Sequence, residues 1–169
     1  MNLPIRKRTR LKGYDYSAPG EYFVTICTAQ KTHLFGEIKN SEMHLSSIGK
    51  IVNREILGIA SHYENIRIDN YVIMPNHIHM IIVVEQTEGI NPFPTIKKYD
   101  IPNVFGKFKA GVTKIVGNPF MHSAKKIIWQ PSFHDHIIRG EKDRLKISEY
   151  INTNPLKWEL DCFYNDERP

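Results

Sequence analysis

Two strand-forming runs, residues 66–73 and 77–84, are separated only by Met74-Pro75-Asn76. So short a connection leaves no room for a crossover, so the runs pair as antiparallel neighbours in a sheet. The rest of the chain is read around that pair. Residues 21–30 (EYFVTICTAQ) are β-branched and aromatic, which predicts another strand, and residues 42–45 predict a shorter one. Ser46 or Ser47 caps a predicted helix to about Ala60, with Ile48, Ile51, Val52, Ile56 and Ile59 at helical spacing. Residues 85–100, with Gly89, Pro92 and Pro94, read as a loop. A helix over 104–116, apolar on one face and lysine-bearing on the other, precedes a short strand over 133–139. The last helix spans 141–153 and stops at Asn154, because Pro155 disfavours helical geometry in the residue before it. This alternation predicts an α+β fold, an antiparallel sheet with helices mainly on one face.

At 169 residues and 19.7 kDa the chain suits one globular domain, and 41% hydrophobic against 24% charged residues excludes a disordered composition. The longest apolar run, residues 80–84, is far short of the ~20 residues a membrane span needs. The basic start leads into no apolar stretch, so no secretory signal is expected. Cys27 and Cys162 show no metal or redox spacing and read as reduced thiols of a cytoplasmic protein. The net charge of +5 is unevenly spread. Arg6, Lys7, Arg8, Arg10 and Lys12 give residues 1–12 a charge of +5, and seven lysines against Asp100 give residues 97–126 a charge of +6. A near-neutral body with two basic segments is the layout of a polyanion binder; a solvated tail and a lysine-rich helix face would look the same.

Chemistry concentrates in three places. In a strand, residues i and i+2 face one side, so His77 and His79 can present two imidazoles to one metal ion while Ile78, Met80 and Ile82 face a core. His134 and His136 repeat this spacing before Ile137 and Ile138, and spacing alone does not rank the two pairs. Tyr150 and Asn154 share a face of the last helix at i and i+4. A tyrosine nucleophile is mostly neutral near pH 7 and needs a cation or proton acceptor beside it. The structural alternatives are ordinary: a surface histidine pair, a packed tyrosine, a capping asparagine. No phosphate-binding glycine loop, Gly-x-Ser-x-Gly elbow or Cys-x-x-Cys pair occurs, so nucleotide-driven and serine-hydrolase chemistry lack support.

Taken in order, several stretches carry a family resemblance: YFVTICT (22–28), LFG (34–36), VIMPNHIH (72–79), FKAGVTK (108–114), WQ (129–130), DHIIR (135–139) and EYINTNPLKW (149–158). Together they resemble the single-tyrosine HUH transposases, in particular the REP-associated tyrosine transposases of bacteria. The resemblance implies a ferredoxin-like (RRM-like) fold with the histidine pair on a central strand and the tyrosine on a helix above it. It selects His77 and His79 over His134 and His136. It also implies Mg²⁺ or Mn²⁺ held by His77, His79 and Asn154, and Tyr150 as the nucleophile that becomes joined to the 5′ end of cut single-stranded DNA. A single tyrosine on the helix suits this class better than the two-tyrosine replication initiators.

The expectation is therefore a divalent-metal-dependent endonuclease and strand transferase acting near DNA hairpins. A basic arm (1–12) precedes one catalytic domain (13–169), in a cytoplasmic monomer or homodimer with no membrane partner. Arg6, Lys7, Arg8, Arg10, Lys12, Lys107, Lys109 and Lys114 are the expected DNA contacts. Two other functions compete: a hairpin-binding protein or repressor with little cleavage activity, and a small zinc metallohydrolase that would not need Tyr150.

Overall fold

Strand β1 (Gly20–Cys27) alternates cleanly, with Tyr22, Val24 and Ile26 buried on one face and Phe23, Thr25 and Cys27 on the other. The computed structural model describes residues 13–86, 99–117 and 127–164. The basic arm, most of the 85–100 loop, and Lys97, Lys98, Lys125 and Lys126 lie outside the described residues. After β1 a 3-10 turn (Ala29–Lys31) leads to a two-stranded hairpin, β2 (Gly36–Lys39) and β3 (Glu42–Leu45). Helices α1 (Ser47–Leu57) and α2 (Ile59–His62) follow, then β4 (Ile66–Ile73), β5 (His77–Val84), α3 (Ile101–Val116), β6 (His134–Ile137) and α4 (Glu141–Thr153). A second 3-10 segment (Pro155–Leu160) leads into the end of the described chain.

The main sheet has the order β4-β5-β1-β6, every pair antiparallel. With the β2–β3 hairpin set aside, the order β1-α1-β4-β5-α3-β6 is the ferredoxin-like βαββαβ arrangement. Its core lies on one face. Ile78, Met80 and Ile82 of β5 pack with the inward residues of β1 beneath Val52 and Ile56 of α1 and Val104, Phe105, Phe108 and Val112 of α3. Each such side chain, fully removed from water, contributes about 1.5–3 kcal/mol before the entropy of ordering it is subtracted. Helix α1 sits close because Gly49 carries no side chain: a Cβ there would meet the Phe35 carbonyl oxygen at 2.0 Å. The opposite face of β5 carries His77 and His79, and α4 lies over that face.

Several boundaries differ from the sequence reading. The first strand stops at Cys27, where the chain turns through Gln30 and Lys31 at positive φ. The helix expected to reach Ala60 breaks at Gly58. Helix α3 starts three residues early, because the Asp100 side chain accepts from Asn103 N and Pro102 suits a first turn. Strand β2 went unread. Asn154 keeps helical φ and ψ despite Pro155, and the chain continues as 3-10 turns with Lys157 N donating to the Asn154 carbonyl.

Candidate active site

The histidines are held at their Nδ1 atoms. Asn76 donates from Nδ2 to the carbonyls of Lys31 (3.1 Å) and Phe163 (2.9 Å), which turns its Oδ1 toward His77 Nδ1 at 2.8 Å. An amide oxygen only accepts, so His77 carries its proton on Nδ1 and keeps a lone pair on Nε2. That Nε2 is buried and has no hydrogen-bond partner. His79 Nδ1 lies 2.8 Å from Thr25 Oγ1 on β1, directly across the ladder. The rings are packed on several sides: Phe163 lies 4.7 Å from His77 and Phe23 stacks on His79 at 5.2 Å. Burial holds both imidazoles neutral, with His77 lowered to about 4 and His79 well below its ordinary value, the latter further opposed by charge on His77.

Helix α4 brings Tyr150 to this pair. The tyrosine is 38% exposed, but its hydroxyl points inward, 3.1 Å from His79 Nε2 and donating to Asp161 Oδ2 at 2.8 Å. Burial of the hydroxyl, then the Asp161 carboxylate, holds the phenol well above the ordinary tyrosine range. One helical turn on, Asn154 donates from Nδ2 to the same Asp161 oxygen at 2.8 Å. Its Oδ1 is buried and unpartnered. A buried polar atom without a partner costs stability, and a cation held by His77 Nε2 and Asn154 Oδ1 would partner both.

Asp161 is the residue that sequence reasoning missed. Its side chain is 1% exposed, 4.0 Å from His79 Nε2, and its other oxygen accepts from Phe163 N at 2.7 Å. Burial pushes this carboxyl up, but hydrogen bonds from Phe163, Asn154 and Tyr150 outweigh it and keep the group below its usual range. Ligand atoms of His77, His79 and Asp161 lie within 4.8 Å of one another, the one such His/Cys/Asp/Glu group among the described residues. Two imidazoles with a carboxylate and an amide oxygen match Mn²⁺, and the oxygens match Mg²⁺. Nothing in spacing marked Asp161, which enters the site only because the 3-10 segment doubles back. Asn76 and Thr25, by contrast, sit inside stretches already singled out.

The other expected residues fall elsewhere. Lys107 is exposed on α3, over the rings of Tyr63 and Tyr99, and Lys114 is exposed near that helix's end. Both belong to the helical layer across the sheet from the histidines. Lys109 donates to the carbonyls of Gln130 and Ser132 and lies over Trp129, so its ammonium ties α3 to the chain before β6. His136 pairs with Asp143 at 2.9 Å on the first turn of α4, away from Tyr150. The cations at 6, 7, 8, 10 and 12 lie outside the described residues.

No protein-family model matches the chain. An uncharacterised protein of Haemophilus influenzae is 39% identical over 172 residues, covering 95% of this chain and 94% of that protein, and the two belong to one family. A REP-associated tyrosine transposase of Escherichia coli is 27% identical over 108 residues, or 59% of this chain and 55% of that protein. Among solved structures, a REP-associated tyrosine transposase bound to a REP hairpin overlays 88% of this chain and 74% of its own with a TM-score of 0.60, at 22% identity. The chain resembles the REP-associated tyrosine transposases. The fold it shares with the hairpin-bound transposase is the mixed α/β fold with a four-stranded antiparallel sheet described above. No helix among the described residues is long and apolar enough to cross a membrane.

Proposed function

We propose that this protein is a single-strand DNA endonuclease and strand transferase that cuts near hairpins and acts through Tyr150. The observation that carries this reading is the Tyr150 hydroxyl at 3.1 Å from His79 Nε2, beside the unpartnered Nε2 of His77 and Oδ1 of Asn154. A tyrosine needs no such company to pack. A nucleophile does.

In this reading His77, His79, Asn154 and Asp161 hold a divalent cation, Mn²⁺ or Mg²⁺. When bound, the cation neutralises and orients the scissile phosphate. The chain's own residues do the rest. Asp161 Oδ2 takes the hydrogen bond, and then the proton, of the Tyr150 hydroxyl. The phenolic oxygen attacks phosphorus in line, the bond to the 3′ oxygen breaks, and that oxygen takes a proton from water to leave as a 3′-hydroxyl. The product is a 5′-phosphotyrosine diester, which conserves the bond energy for rejoining to another 3′ end. No nucleotide cofactor is consumed, in keeping with a chain that has no phosphate-binding glycine loop. The cations of residues 1–12, with Lys107 and Lys114, supply attraction to phosphates without choosing sequence.

The two histidines and Asp161 also form the ligand type of a zinc hydrolase, which favours a second reading without covalent chemistry. One experiment separates them. Labelled single-stranded hairpin DNA is incubated with the protein and Mn²⁺, then denatured and resolved by electrophoresis. A denaturation-resistant protein–DNA adduct supports the transferase; cleavage without an adduct supports the hydrolase, and binding without cleavage a hairpin-binding repressor.

A further inference from the structure

Helix α4 carries the tyrosine, yet it has little apolar grip on the sheet. Of its sheet-facing stripe, Arg144, Ile147, Ser148 and Ile151, only Ile151 is buried, and Leu145 is 57% exposed. Polar contacts take its place. Arg144 Nη2 donates to Asp69 Oδ2 on β4 at 2.5 Å, and its Nε lies 3.1 Å from Glu21 Oε2 on β1. Those strands flank β5, so one guanidinium spans the strand that bears the histidines. One turn on, Asn70 Nδ2 donates to Ser148 Oγ and Asn152 Oδ1, both at 3.0 Å.

Asp69 and Asn70 are successive residues, which in a regular strand would point to opposite faces. They reach the same helix because β4 is bulged there: Ile68 lies opposite Ile82 and Asn70 opposite Ile81, leaving Asp69 as the extra residue. A bulge re-aims side chains at the cost of one ladder position. Here it sends two polar residues to α4 while Ile68 and Tyr71 both stay against the core.

We infer that Arg144, docked on the bulge at Asp69–Asn70 and on Glu21, is a positioning residue that sets the height and rotation of α4 and hence the place of the Tyr150 hydroxyl over His79. The inference rests on the reading of Tyr150 as nucleophile. A guanidinium fork held by two carboxylates fixes direction as well as distance, and Tyr150 lies only about 9 Å further along a rigid helix. The Arg144, Asp69 and Glu21 side chains are 37%, 20% and 31% exposed, so solvent screening leaves the dock a small share of global stability. Reaction geometry has no such tolerance, because a misplacement of about 1 Å can cost a hundredfold in rate.

The test uses the full chain with Arg144→Gln, Arg144→Lys and the isosteric Asp69→Asn, the last in case the glutamine variant folds poorly. Three quantities are read: single-turnover adduct formation at saturating hairpin DNA with Mn²⁺, hairpin affinity, and amide hydrogen exchange over residues 141–153. Arg144→Gln and Asp69→Asn should each slow adduct formation about tenfold or more with hairpin affinity within about twofold, and Arg144→Lys should recover part of the rate. Exchange over 141–153 should quicken while the sheet stays protected. Adduct rates within about twofold of wild type, or rate and hairpin affinity lost in parallel, would overturn the inference. If the wild type forms no adduct, the nucleophile reading fails by itself. The exchange comparison then still decides whether Arg144 holds the helix, and equal exchange in the variant sinks that too.

Discussion

The Tyr150 hydroxyl and His79 Nε2 stand 3.1 Å apart, although 71 positions separate the two residues in the chain. The contact joins a helix to the central strand pair, and a third group, Asp161, accepts a hydrogen bond from the same hydroxyl. Removing the hydroxyl alone therefore tests the chemistry with little damage to packing. Tyr150→Phe should abolish the covalent adduct and leave hairpin binding intact. The stability cost should be about 1 kcal/mol, since Asp161 keeps its donors from Asn154 and Phe163. Denaturant unfolding and adduct formation on the same preparation check both halves. An adduct at the wild-type rate would assign the nucleophile to another tyrosine.

The two histidine pairs should behave differently. His77→Ala and His79→Ala should each weaken Mn²⁺ binding by about tenfold or more, because each removes a ligand atom from a buried set. His134→Ala should leave it unchanged, as its strand partner is Thr25, one strand further from the site. Isothermal titration of the three variants with Mn²⁺ reads this directly. Equal losses at His77 and His134 would move the metal elsewhere.

Asp161→Asn removes the one carboxylate that the described residues bring to the site while keeping its shape. Mn²⁺ affinity should drop by roughly tenfold, and addition of salt should not restore it, because a lost ligand is not a screened charge. The Tyr150 phenol should also ionise more readily, since the carboxylate is one cause of its raised value. Tyrosinate absorbance during alkaline titration reports the second effect independently of metal. A phenol that titrates as in the wild type would remove Asp161 from the tyrosine's environment.

The metal-free protein should lose stability on mild acidification. His77 binds its proton near 4 when folded but near 6.5 when unfolded, and His79 is shifted the same way. Between those values the unfolded chain holds more protons, so unfolding becomes easier as pH falls from about 6.5 toward 4. His77 alone contributes roughly 2–3 kcal/mol across that window. Above pH 7 the contribution is level. Denaturant midpoints measured in chelator from pH 7.5 to 4.5 should fall in that window, and a His77→Gln variant should flatten the fall.

The four strands of the main sheet and α4 were legible because each announces itself locally. His77–Met80 alternates histidine with an apolar residue, which assigns the two faces of that strand from the sequence, and α4 is bounded by Gly140 and Pro155. Tyr150 and Asn154 were legible as neighbours through helical spacing. Their approach to His79 was implied only by the family resemblance, since no local pattern encodes which sheet face a helix covers. Asp161 was illegible for a related reason. A carboxylate seven residues past Asn154, beyond a proline, has no periodic relation to the helix, and only the path of the 3-10 segment returns it to the tyrosine. The bulge at Asp69 was hidden too, because Ile66–Ile73 reads as an unbroken strand and the extra residue shows only in its pairing with β5.

The Asn76 amide gives the far end of the described chain a second significance. Its two protons go to Lys31 and to Phe163, and that pair of bonds is what aims its oxygen at His77. A shortened protein that ends before Phe163 would lose one of those two bonds, and an amide held by Lys31 alone can flip and present its nitrogen to the imidazole instead. His77 would then swap tautomers and turn a proton, not a lone pair, toward the cation. Trimming this tail for crystallisation or for a minimal enzyme would thus alter the ligand chemistry of His77, a residue far upstream of the cut.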